Sequence, residues 1–170
     1  MPRRVLVLFL LQLLLRALVA EANHLLAPMH VYLFLGAVFL LYGTLALPFR
    51  EGLLLATLGG LLHDAFAPVT FGTHAVLFAF AHVLLFRLRD RVPRDDTLGR
   101  VVIALLTNLT LYLIFSFVQI GGSAFAGSLW PRLIADLLWS QLALALVTPW
   151  FVGLQARALV LARAEPQPAS

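Results

Sequence analysis

The sequence predicts an all-α integral membrane protein with six transmembrane helices and both termini in the cytoplasm. Three observations carry that prediction. Hydrophobic residues make up 62 % of the chain, charged residues only 12 %, and the mean hydropathy is +0.97. A soluble domain carries roughly 25 % charged residues. The apolar residues fall into six long runs broken by short polar stretches. The runs are too long and too unalternated for barrel strands. Finally, the chain has no lysine, and its loop arginines fall on alternate loops. Basic loops stay cytoplasmic.

The first run extends from Val5 to Ala22, interrupted by Gln12 and Arg16, with Arg3 and Arg4 before it. The second is His30 to Leu47, closed by Pro48, with Arg50 following. The third is Gly52 to Phe66, closed by Pro68, and the fourth is Phe71 to Phe86. Both fall below the roughly 17–25 residues of a full helical span, which predicts thin or partly re-entrant segments. Arg87, Arg89, Arg91, Arg94 and Arg100 occupy the next loop. Thr97, after Asp95 and Asp96, is a predicted cap for the fifth helix, because its hydroxyl can accept from exposed amides. That helix covers Val101 to Ile120 and ends at Gly121-Gly122. The sixth covers Leu129 to Leu154, with Pro131 in its first turn, where no amide proton is needed. Arg157 and Arg163 follow it. Trp130 and Trp150 lie about 30 Å apart on such a helix, one at each interface.

At 170 residues the chain is one domain, residues 1–164, with a polar, proline-rich tail at 165–170 that is expected to be disordered. The net charge of +4 does not point to nucleic acid, because the arginines lie between apolar runs without a patch of stacking aromatics. They suit anionic lipid headgroups instead. The absence of cysteine excludes disulfides and thiolate metal sites. Met1-Pro-Arg-Arg4, an apolar core and Ala20-Glu-Ala22 resemble a signal peptide, but Arg16 fits that pattern poorly.

With the termini inside, short outer loops lie near residues 22–30, 67–70 and 121–128. Five charged residues within the spans then share the outer half: Arg16, Glu21, Asp64, Arg132 and Asp136. His63 and His74 join that layer, while Gln12, His82, Asn108 and Gln141 lie deeper. A charge at the bilayer centre costs at least about 2.5–3.5 kcal/mol, so intramembrane ionisable groups either satisfy one another or mark a site. Arg132 and Asp136 are four apart and can pair. Arg132 can also snorkel to the surface. Asp64 can cap the turn into Ala67-Pro68. The functional alternative is an outward concavity for a ligand or a partner, touched by Asp64, His74, Arg16, Arg132 and Asp136. No metal spacing occurs: His63 and Asp64 are adjacent, and His74 and His82 are two turns apart. Gly121-Gly-Ser-Ala124 lacks a base for its serine, since no histidine follows His82. Gly59 and Gly60, with Gly72, are read as positions of close helix packing, and Gly36 and Gly43 likewise.

The stretch from Gly52 through Gly59, Gly60 and Asp64 to Pro68, Phe71, Gly72, Thr73, His74 and Ala75 resembles the MreD family of rod-shape-determining membrane proteins. In that family a glycine-leucine helix ends in an aspartate, a short turn follows, and a Gly-x-His/Ala step opens the next helix. The resemblance implies a non-enzymatic component of the bacterial inner membrane that takes no cofactor. It implies binding to MreC, and work beside RodA, its transpeptidase and, indirectly, the MreB filament in sidewall peptidoglycan synthesis. Asp64→Ala would then weaken partner assembly and leave the fold intact. The family is also similar in fold to the substrate-binding subunits of energy-coupling-factor transporters, so an outward-facing small-molecule binder is the competing expectation. Helix one holds Ala17, Ala20 and Ala22 without the clean four-residue small-residue repeat such subunits use for docking. An enzyme of lipid or cell-wall chemistry stands third, because no spacing sets out a specific acid and base.

Overall fold

A computed structural model describes residues 3–67, 70–89, 97–120 and 126–162. These residues form six α-helices: α1 (Arg3–Leu26), α2 (Gly36–Ala46), α3 (Phe49–Asp64), α4 (Thr73–Leu88), α5 (Thr97–Ile120) and α6 (Ala126–Leu161). No strand occurs among them. Arg3–Met29, Thr97–Val118 and Leu129–Leu161 are each long and apolar enough to cross a membrane. The molecule turns bulky apolar side chains outward all round: Leu146 is 78 % exposed, Phe80 66 % and Leu138 61 %. Such a surface is at home in lipid and a liability in water.

The helices pack as two hairpins, α3 with α4 and α5 with α6, around a central α2 that touches all four. α1 closes the bundle against α3 and α6. Eight of the eleven residues of α2 are buried, which explains why its sequence is apolar on every side. Arg4 meets Glu51 at 3.9 Å at one end of the bundle. The Arg89 guanidinium donates to the Leu47 carbonyl at 3.3 Å at the same end.

Two stretches differ from the sequence expectation. The second apolar run is helical only from Gly36. Ala27–Met29 form a 3-10 turn, and His30 takes a left-handed φ of 56°. The chain then runs non-helically into the bundle until α2 begins. The sixth helix, in contrast, begins at Ala126 and runs seven residues beyond Leu154 to Leu161, so Pro131 lies inside it and not in its first turn, and Pro149 lies inside it too. Proline removes one helical hydrogen bond. Beside it, the Thr148 hydroxyl donates to the Leu144 carbonyl at 2.7 Å. Thr97 opens α5 as expected, but Asp95 and Asp96, Pro68, Gly121 to Ala124 and the tail lie outside the described residues.

The glycines separate into distinct roles. A Cβ on Gly60 would stand 2.4 Å from Ala75 Cα, so α3 and α4 cross backbone to backbone. On Gly52 it would lie 2.5 Å from both the Gly43 carbonyl oxygen and the His82 ring. Gly59 gives way to the Gln12 side chain at 3.1 Å. Gly72 is not a packing glycine, because a Cβ there would meet nothing within 4 Å. It is needed for its φ of +98°, a left-handed conformation that turns the chain into α4.

Candidate functional site

Non-helical backbone inside an apolar bundle needs internal hydrogen-bond partners, because unpaired buried amides and carbonyls are costly. The segment before α2 obtains them from side chains on three helices. Asn23 of α1 brackets Leu33, accepting from its amide at 2.7 Å and donating to its carbonyl at 3.1 Å. On α6, Asp136 accepts from the Tyr32 amide at 2.9 Å and Ser140 from the Phe34 amide at 2.9 Å. On α5, Asn108 donates to the Phe34 carbonyl at 3.0 Å and accepts from the Ala37 amide at 3.3 Å. Deeper still, Gln12 donates to the Phe39 carbonyl at 2.7 Å.

Asp64 is a second anchor. It ends α3 and reaches across the turn to the start of α4. Its Oδ2 accepts from the amides of Gly72 at 3.0 Å and Ala75 at 3.1 Å. Its Oδ1 accepts from the His74 amide at 2.9 Å and from His74 Nδ1 at 2.8 Å. Helix N-terminal amides lack partners within their own helix, and a carboxylate there also complements the helix dipole. Asp64 therefore caps α4 from α3, and not the turn into Ala67-Pro68. With only 4 % exposed, it is part of the frame below the surface.

Above this frame opens a cleft of about 600 Å³. Tyr32, Phe34, Phe66, Tyr112 and Phe115 supply aromatic walls, and His74, Ser116, Arg132 and Asp136 supply polar groups. The His74 ring stacks on Phe115 with centroids 4.1 Å apart. Behind it, the His63 ring is boxed by Phe39 at 4.5 Å and Phe78 at 5.2 Å, and faces His74 at 5.7 Å. Arg16 comes in from the α1 side, with its guanidinium 5.2 Å above the Phe66 ring. Its Nε is buried without a hydrogen-bond partner.

The structure thus gathers all five predicted contact residues around one end of the bundle, in different roles. Asp64 and His74 build the α3–α4 corner, and Asp136 pins the entering chain. The Arg132–Asp136 ion pair allowed by spacing is not formed among the described residues. Arg132 is exposed at the cleft and, among the described residues that line it, is the charged group without a structural bond. Glu21 is exposed, and Gln141 donates to the Leu105 carbonyl at 3.1 Å, tying α6 to α5. Ser123 falls outside the described residues. Sequence reasoning missed Asn23, Ser140, Tyr32, Tyr112 and Ser116. The four-residue step from Asp136 to Ser140 on one helix face was the available signal.

Fold and cleft together define an all-helical bundle, three of its helices long and apolar enough to cross a membrane, with a polar, aromatic-walled concavity at one end. Comparison with models of known protein families, with curated proteins and with solved structures finds no match to this chain.

Proposed function

We propose that this protein is a non-enzymatic scaffold of a bacterial cell-elongation complex, of the MreD type, with MreC docking at the cleft. The observation that carries this reading is the unity of the residues behind the resemblance. Gly60, Asp64, Gly72 and His74 are one hydrogen-bonded and close-packed corner, and that corner supports the cleft. Six spans, cytoplasmic termini and residence in the inner membrane belong to the same proposal. The arginine distribution supports them, and the non-helical segment before α2 adds reach to an eleven-residue helix. RodA and its transpeptidase, with MreB indirectly, are the wider assembly.

The test is detergent co-purification of the tagged protein with MreC of its own organism, beside Arg132→Gln. Arg132 bears no bond of the frame, so the variant is expected to fold normally and to capture MreC several-fold less. Undiminished capture by the variant removes the cleft from the proposal, and no capture by the wild type removes the scaffold.

One observation favours a second reading. The cleft volume lies within the roughly 300–1,000 Å³ of small-molecule sites, and aromatic walls with a few polar groups suit such a ligand. An outward-facing binding subunit of a transporter would retain a small molecule through purification.

A further inference from the structure

Two guanidinium groups stand at the cleft without an acid. Arg16 of α1 is half-buried, and its Nε lies buried without a hydrogen-bond partner. Its contact is with the Phe66 ring, which is itself a wall of the cleft. Arg16 is also within Coulombic reach of His74, another lining residue. Arg132 of α6 lines the cleft directly and has the same reach to Tyr112. Among the described residues neither arginine forms an ion pair. The carboxylates at this end are engaged elsewhere. Asp64 spends both oxygens on the α4 amides and the His74 ring. Asp136 holds the Tyr32 amide through Oδ1 and stays beyond ion-pair distance of Arg132. A half-buried cation without a partner is costly, and an anion entering the cleft would relieve that cost.

We infer that the cleft binds a small aromatic carboxylate, its ring among the aromatic walls and its anionic group between Arg16 and Arg132. The body of the ligand follows from the walls. Phe34 comes from the segment before α2, Phe66 from the end of α3 and Phe115 from α5, so rings line the cleft from three parts of the fold. Aromatic rings pack favourably against one another in offset and edge-to-face arrangements. A volume of about 600 Å³ leaves room for a molecule of one or two rings. The anionic group follows from the arginines, whose planar guanidinium matches a carboxylate or a phosphate. Asp136 lines the same cleft, and its like charge opposes a doubly charged phosphate more than a carboxylate. The inference rests on reading the cleft as a ligand site. It needs neither the scaffold nor a particular side of the membrane.

The experiment is equilibrium dialysis of the full-length protein in phosphatidylcholine nanodiscs, with empty nanodiscs as the blank. The probes are radiolabelled indole-3-acetate and its neutral counterpart indole-3-acetamide. The wild type is expected to bind indole-3-acetate at one saturable site, at least about tenfold tighter than the amide, the scale of one charge-assisted hydrogen bond. Arg16→Gln and Arg132→Gln are each expected to remove most of that preference. Arg50→Gln, which alters an exposed arginine that does not line the cleft, is expected to keep it. Ala67→Trp, which fills the cleft, is expected to lower the affinity for both probes. Thermal unfolding identifies any variant that fails to fold, and Arg132→Gln, at a residue that bears no bond of the frame, then decides. Equal affinity of the wild type for acid and amide overturns the anion inference and leaves the ligand site standing. Binding of neither probe overturns the inference together with the ligand-site reading. Equal loss in Arg50→Gln and Arg132→Gln overturns the inference as well, because it means diffuse attraction. So does unchanged binding in a folded Ala67→Trp protein, which places the probe outside the cleft.

Discussion

Asp64→Ala is expected to be among the most destabilising single substitutions in this chain. It takes the acceptor away from three backbone amides and the His74 ring at once. A buried donor left without its acceptor costs about 1–3 kcal/mol, and here four donors lose theirs together without regaining water. Asp64 is buried, and His74 is only 6 % exposed, so little solvent is at hand to replace the carboxylate. A large drop in the detergent thermal midpoint is the expected readout. Asp64→Asn retains one acceptor oxygen and should fall between the two. This outcome reverses the expectation drawn from sequence, in which the substitution left the fold intact. A partner-binding defect in Asp64→Ala therefore says little about the contact surface, and Arg132 is the better probe.

Gly60→Ala should also destabilise, against the usual sign for a helix. Replacing glycine by alanine inside a helix ordinarily gains about 1 kcal/mol of propensity. At Gly60 the new methyl would lie 2.4 Å from Ala75 Cα and 2.6 Å from its nitrogen, and backbone cannot rotate away as a side chain can. Overpacking of this kind costs about 1–3 kcal/mol, and the α3–α4 crossing that Asp64 caps would be forced apart. The clash outweighs the propensity. Gly153→Ala is the control, since a Cβ there meets nothing within 4 Å. That substitution should be neutral or stabilising by up to about 1 kcal/mol. Thermal unfolding of the two variants side by side checks the sign: equal behaviour would mean that α3 and α4 do not cross as closely as described.

How far the sequence reveals this fold depends on the range of the interactions involved. Helix positions are legible because apolar runs and their polar breaks are local. The gathering of Arg16, Asp64, His74, Arg132 and Asp136 at one end is legible too, since alternating direction follows from the arginines. The break before α2 was not legible. Val31 to Leu35 is apolar and reads as helix, and groups that bond its non-helical backbone, Asp136 and Ser140, lie 104 and 106 residues away along the chain. Pro28 and Gly36 were the only local hints. The cap role of Asp64 was hidden for a similar reason. Its acceptor geometry needs the amides eight to eleven residues onward, and these come within reach only once α3 and α4 have folded back on each other.

The most direct test of the scaffold account is photo-crosslinking in native membranes from Leu129, a cleft-lining residue that is 40 % exposed, with Phe80 on the outer face of α4, 66 % exposed, as the comparison position. A photoreactive residue at 129 is predicted to give a protein adduct containing MreC, while one at 80 gives lipid adducts. Adducts to MreC from position 80 and none from 129 would contradict docking at the cleft.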